Sequence, residues 1–221
     1  MSIEICRIDQ GDDHGVTSTD TIYFIPYALV PPWTKVTYTS FVADYRPLKP
    51  EPNRIRFIVG GDRLDYMDDS SSPATKLVET KMLFNSVISD ADKGAKFINC
   101  DLKDHFLESP MKEAQYMRIR WDQIPEDIKT TYNLQSMRHG DYIYIKIKKG
   151  MYDLKEPAIL AYNKIILHLT PRGYYCIQDT AGLSRHKTRK TIFYLCLDDF
   201  GIKYFNGDKI THFQDSLTNC F

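Results

Sequence analysis

Apolar and polar positions along this chain predict short strands joined by hairpins, with two longer amphipathic helices between them. Residues 191–205 read Thr-Ile-Phe-Tyr-Leu-Cys-Leu-Asp-Asp-Phe-Gly-Ile-Lys-Tyr-Phe. Two apolar runs, 192–197 and 200–205, are parted only by Asp198 and Asp199, which predicts a tight hairpin inside a buried sheet. Residues 95–100 predict a strand that delivers Asp101 at its end. Residues 35–45 alternate and are rich in Thr, Tyr and Val; three prolines follow within 46–54, and 55–59 form a second strand before Gly60-Gly61, so this segment reads as a long hairpin. A strand-like run at 21–30 stops at Pro31-Pro32, 116–121 is another short strand, 122–140 a polar insertion, and 141–148 alternates strictly.

Helical spacing replaces alternation in two places. Ser72 is placed as an N-cap with Pro73 at the first position, and Ala74, Leu77, Val78, Phe84, Val87 and Ile88 fall mainly on one face, which predicts a core helix. From Pro157, residues Ala158, Ala161, Tyr162, Ile165, Ile166 and Leu169 follow the i, i+3, i+4, i+7 rule until Pro171 and Gly173 stop it. Residues 207–221 read as a last short helix, and 1–20, polar with Gly and Asp, are expected to be poorly ordered. The expected fold class is α+β, an antiparallel sheet of the Asp101 strand and the Asp198-Asp199 hairpin backed by the two helices, with a second hairpin N-terminal to it.

Composition narrows the picture little. The 29 Lys+Arg balance 29 Asp+Glu, so attraction to a polyanion has to come from local clusters. Five scattered cysteines without a Cys-x-x-Cys pair read as free thiols, and no apolar run reaches the ~18 residues of a membrane span. The expectation is an intracellular chain, cytoplasmic or nuclear. No Cys/His spacing suits zinc, and no Ser-His-Asp elbow is legible.

The chemistry concentrates in the carboxylates. Asp-Asp is a poor choice for the centre of a two-residue hairpin, which favours residues tolerant of positive φ. Adjacent carboxylates raise one another's pKa unless a cation compensates, and magnesium is commonly held by one or two carboxylates plus substrate phosphates. A solvent-facing acidic turn is the plain alternative. A strand-end Asp101 brought beside that hairpin would suit two-metal phosphoryl transfer.

Taken in order, strand-Asp101-x-x-x-x-Phe106, then Lys149-Gly-Met-Tyr-Asp-Leu-Lys-Glu156, then Leu197-Asp-Asp-Phe200 resemble the reverse transcriptase of long-terminal-repeat retrotransposons, closest to the copia type. The resemblance runs from Thr21 to Asp215. It implies a polymerase palm with an N-terminal fingers hairpin, and RNA- or DNA-templated DNA synthesis from deoxynucleoside triphosphates on a template-primer with Mg2+, for which Mn2+ can substitute. Asp101, Asp198 and Asp199 would be the catalytic, metal-holding carboxylates. Arg56 and Lys49 would meet the triphosphate, Phe106 would exclude a 2′-hydroxyl, and Glu156 would stand beside the nucleotide. Lys149, and Arg185 and Lys187 of the basic loop at 185–190, would contact nucleic acid.

The chain departs from the family at Asp153-Leu-Lys-Glu156-Pro157, where Gly-Leu-Pro/Lys-Gln-Ala is usual, and at Ser184, where tryptophan is usual. It ends at Phe221, before the expected remainder of the palm, the thumb and ribonuclease H. The implied organisation is a poorly ordered 1–20, a fingers-like 21–94 and a truncated palm-like 95–221. Two other readings stay open, a non-catalytic nucleic-acid-binding remnant and another magnesium-dependent phosphoryl-transfer enzyme such as a nuclease. Tyr66-Met-Asp-Asp69 spells a retroviral catalytic tetrapeptide, but no apolar strand flanks it and it precedes Asp101, so it is set aside.

Overall fold

The computed structural model describes residues 1–9, 18–49, 52–64, 74–102, 105–154, 156–180, 182–196 and 198–218. In chain order the first elements are α1 (Ser2–Ile8), β1 (Ile22–Ile25), β2 (Val36–Tyr45), β3 (Asn53–Val59), α2 (Leu77–Ser89), β4 (Lys96–Asp101), α3 (His105–Glu108), β5 (Pro110–Arg120) and α4 (Glu126–Thr131). They are followed by β6 (Tyr142–Lys149), α5 (Glu156–Leu169), β7 (Tyr174–Cys176), β8 (Leu183–His186), β9 (Ile192–Cys196), β10 (Asp199–Tyr204) and α6 (Gly207–Thr218). The fold is α+β, with two sheets in which antiparallel pairing dominates. The chain divides into two units, Met1–Ser70 with Phe106–Pro157 and Ser71–His105 with Ala158–Phe221.

In the first unit the strand order is β1-β6-β5-β2-β3, and only β2–β5 is parallel. The strict alternation at 141–148 has a direct consequence: Ile143, Ile145 and Ile147 are fully buried on one face, each worth roughly 1.5–3 kcal/mol of burial, and Tyr142, Tyr144, Lys146 and Lys148 take the other. The core face also receives Ile5 and Ile8 from α1, so part of the lead expected to be poorly ordered is a packed helix. The supposed polar insertion 122–140 contributes as well. It folds into α4 and flanking 3-10 turns that bury Ile124, Ile128 and Leu134. β1 is shorter than the apolar run predicts because Pro26, with no N–H to give, follows Ile25.

The second unit is an antiparallel sheet of order β4-β10-β9-β8-β7. Phe193, Leu195, Phe200 and Ile202 line one face and pack on Ile165 and Leu169 of α5 and Ile210, Phe213 and Leu217 of α6. Of the residues that periodicity selects in the helix predicted from Pro157, Ala161, Ile165 and Leu169 are buried, and Ala158, Tyr162 and Ile166 are half-buried. Against the opposite face lies α2, whose Phe84 ring is 4.5 Å from Phe97. Lys203 of β10 reaches α2 from below, donating to the Ser86 carbonyl at 2.8 Å and to Asp90 at 2.6 Å.

Helix α2 is not the core element its apolar positions predict. Leu83 is buried, while Leu77 and Val78 are each 68% exposed and Ile88 is 74% exposed. It begins at Leu77 with Lys76 as N-cap, the Glu79 carboxylate accepting the Lys76 N–H at 2.8 Å; Ser72 and Pro73 lie outside the described residues. Nor do the units follow a linear division at residue 94. Strands β5 and β6 join the N-terminal strands, and α2 joins the C-terminal sheet.

Candidate functional site

The hairpin between β9 and β10 forms one residue earlier than the sequence predicts. Asp199 is the register partner of Cys196, so Asp199 is already a ladder residue and Asp198 is left in the turn. Asp199 also pairs on its other side with Asp101, the last residue of β4. Direct partners on neighbouring antiparallel strands point to the same face, with Cβ atoms about 4.5–5.5 Å apart. Asp198 sits at the turn, and its carbonyl oxygen accepts the Leu102 N–H at 3.1 Å, which extends β4–β10 contact past the last ladder pair. The structure therefore brings all three predicted carboxylates to one end of one sheet. Asp101 and Asp199 are exposed there and Asp198 is half-buried.

The face carrying Asp101 and Asp199 is the one on which α2 lies, and it is hollowed next to them. A cleft of about 350 Å³ is lined by Thr75, Thr80, Asn99, Tyr194, Cys196, Asp199 and Phe200. Gly201 makes part of this hollow possible: a Cβ there would fall 2.1 Å from Cε1 of Tyr194, so the Tyr194 ring lies over the glycine. Burial first, and then the charge of Asp199, raises the Tyr194 phenol above its ordinary pKa. Thr75 closes the other wall, with its hydroxyl donating to the Leu195 carbonyl at 3.1 Å. Gly182 permits that approach, since its φ is +73° and a Cβ would meet the Thr75 hydroxyl at 2.4 Å. On the core side, burial and secondly Asp101 push the Cys100 thiol up to about 11.

As a donor set, the carboxylates are all hard oxygen ligands, which is what magnesium takes. Among the described residues no three His, Cys, Asp or Glu side chains form a ready-made cage. Two facing carboxylates open to solvent still fit an ion whose remaining ligands are water and substrate phosphates.

The other predicted residues fall in several places. Arg56, half-buried on β3, has a buried Nε with no hydrogen-bond partner among the described residues, and its guanidinium lies 5.8 Å from the Tyr152 ring centre. Arg54, two residues earlier on the same face, donates to the Tyr152 hydroxyl at 3.4 Å. Lys49 is exposed in the turn after β2, and Glu156 opens the first turn of α5, where a carboxylate meets the positive end of the helix. Lys149 is turned inward, its ammonium donating to the Thr19 carbonyl at 2.5 Å, and so is not presented to a polyanion in this structure. Arg185 lies on β8 with its guanidinium 5.9 Å from the Tyr175 ring centre, and Lys187 is exposed in the following loop. Phe106 belongs to α3, but its side chain lies outside the described residues, as does the Tyr66-Met-Asp-Asp69 segment.

Asp153, in the connection between β6 and α5, adopts φ +75°. That conformation suits glycine and costs most other residues. Its carbonyl oxygen sits 2.0 Å from where a Cβ on Gly61 would be.

Asn99, Tyr194, Thr75 and Thr80 line the cleft without belonging to any motif of the sequence. Asn99 and Tyr194 were within reach of period-2 counting from Asp101 and Cys196; the two threonines, far away in sequence, were not. Among the described residues no helix is long and apolar enough to cross a membrane.

No protein-family model matches the chain, and no curated protein matches it.

Proposed function

We propose that the second unit is a polymerase-like palm that performs templated DNA synthesis by magnesium-dependent nucleotidyl transfer, as a reverse transcriptase does. The observation that carries this reading is the pairing of Asp101 with Asp199 on adjacent strands, with Asp198 at the turn beside them. Three carboxylates from two distant parts of the chain meet at an open sheet end, beside a cleft able to admit part of a substrate.

Asp101, Asp198 and Asp199 would hold magnesium, which when bound supplies charge neutralisation for phosphates. The reaction joins a primer 3′-hydroxyl oxygen to the α-phosphorus of a deoxynucleoside triphosphate. The bond to pyrophosphate breaks, and the hydroxyl proton passes to solvent. The chain's own contribution is placement. The rigid β4–β10 ladder sets the spacing of the carboxylates, and the Leu102 N–H held by the Asp198 carbonyl orders the turn. By the resemblance alone, Arg56 would be the triphosphate ligand, since guanidinium binds phosphate oxygens in a fork.

Primer extension on poly(rA)/oligo(dT) with Mg2+ or Mn2+ tests this, comparing the chain with Asp198→Asn. Extension lost in the variant supports the polymerase reading. Degradation of primer without extension would replace it with a nuclease. Neither activity from a chain that is folded by circular dichroism would overturn it.

A further inference from the structure

Between β1 and β2 of the first unit the chain runs through residues 26–33, Pro-Tyr-Ala-Leu-Val-Pro-Pro-Trp, without a charged side chain. Six of these eight residues are exposed, Leu29 by 65% and Trp33 by 86%. Consecutive apolar residues are kept off a protein surface unless something covers them there. Scaled by these exposures, the loop offers roughly 500 Å² of apolar area, near the top of the ~300–600 Å² of the largest patch on a typical monomer.

The loop is held in shape. Tyr27–Leu29 form a 3-10 turn, with the Leu29 N–H on the Pro26 carbonyl and the Val30 N–H on the Tyr27 carbonyl, each at 3.0 Å. A second turn follows, in which the Thr34 N–H donates to the Pro31 carbonyl at 3.0 Å. The rings of Pro26, Pro31 and Pro32 fix φ at three further points. The inward side is pinned as well. The Tyr27 ring stacks on His139 at 4.2 Å and lies 4.8 Å from Tyr144, and Val30 packs on the cluster of Ile25, Tyr116 and Tyr144. Leu29 and Trp33 are thus set out in solvent by a backbone with little ordering left to lose on association, which is what suits a binding anchor.

We infer that this loop is the centre of a two-fold interface between two copies of the chain, in which Leu29 and Trp33 of each copy cover those of the other. A two-fold interface brings a patch against its own image, so a charge near the axis meets the same charge. Residues 26–33 carry none, and Lys35 comes only at the edge. The exposed apolar stripe of α2 fails this condition, because the exposed Lys81 stands one turn from Leu77 and next to Met82. A partner of different sequence would gain its specificity from complementary charges, which the loop does not offer. A standard interface takes about 800 Å² from each side, so the loop supplies the apolar centre and exposed neighbours such as His139 and Lys35 the polar rim.

The test is sedimentation equilibrium of the full chain from about 1 to about 100 µM, which brackets a micromolar association. A dimer forms, and Trp33→Ser with Leu29→Ser weakens it at least about tenfold. Both side chains face solvent in the single chain, so the variant keeps its fold, which circular dichroism checks. The chain has two tryptophans, and Trp121 is half-buried under the Lys129 ammonium. Trp33 emission therefore moves to shorter wavelength as concentration rises. Trp33→Phe keeps an aromatic ring and the dimer but loses that shift, and Met82→Ser on α2 leaves the association unchanged. A chain that stays monomeric over the range overturns the inference, as does a dimer that forms without the shift, survives the loop variant, or dissolves with Met82→Ser. A blue shift on phosphatidylserine-containing vesicles, at a concentration where the chain alone is monomeric, would assign the loop to a lipid surface instead. None of these readouts involves Asp101 or Asp199, so the outcome is independent of the polymerase reading.

Discussion

Asp101 and Asp199 stand directly opposite one another across the β4–β10 ladder, two like charges on one face of the sheet. Like charges at such a position oppose folding by about 0.2–1 kcal/mol unless a cation lies between them.

It follows that in EDTA the Asp199→Asn variant melts higher than the wild-type chain, by about 2 °C. Added Mg2+ raises the wild-type melting temperature and narrows or reverses the gap. Differential scanning calorimetry with and without the ion checks this. A variant that melts lower in EDTA would show that the pair is not repulsive.

Asp153→Gly stabilises the first unit. The aspartate holds φ +75°, a conformation that costs an L-residue about 1–2 kcal/mol, of which aspartate tolerates part. Relief of about 1 kcal/mol, or roughly 3 °C in melting temperature, is expected. Gly61→Ala does the reverse, because its Cβ would collide with the Asp153 carbonyl oxygen.

Helix α2 is held through few side chains, and substitutions along it should separate sharply. Leu83→Ala costs about 2–4 kcal/mol, since the side chain is 4% exposed. Val78→Ser and Ile88→Ser change stability by less than about 0.5 kcal/mol. Urea titrations of the three variants give the comparison.

Two ionisations should show in pH profiles, with the same sign but at different pH. The hydrogen bonds from Lys203 and then Lys93 lower Asp90 to about 2 from an ordinary 3.8. The unfolded chain binds that proton first as pH falls, so the stabilisation is whole above about 4 and disappears as pH drops toward 2. Asp90→Asn removes this acid limb. His186 accepts the N–H groups of Thr188 and Arg189 at Nδ1, at 3.1 and 3.0 Å, and its Nε2 meets the Arg172 carbonyl at 3.1 Å. Burial first lowers its pKa below 6.5, with His212, Arg189 and Lys187 adding to the effect against the Arg172 carbonyl. Stability is therefore lost as pH falls below about 6.5, and melting temperatures measured from pH 8 to 5 should drop more for the wild type than for His186→Asn.

What the sequence determined by itself was local. The 3.6-residue spacing after Pro157 selected Ala161, Ile165 and Leu169, and all three are buried in α5. The period of two at 141–148 separated the isoleucines of β6 from its tyrosines and lysines. The Asp101 strand and the later carboxylate hairpin were likewise legible, because turn residues and strand ends are marked by their immediate neighbours. Tertiary structure decided the rest. Whether Asp199 is a turn residue or a ladder residue depends on its pairing with Cys196 and Asp101, and a shift of one residue changes its face. The apolar residues of α2 look like a core stripe, yet a helix buries only what its partner surface can receive, and the sheet beneath it ends in Asn99, Asp101, Asp199 and Gly201.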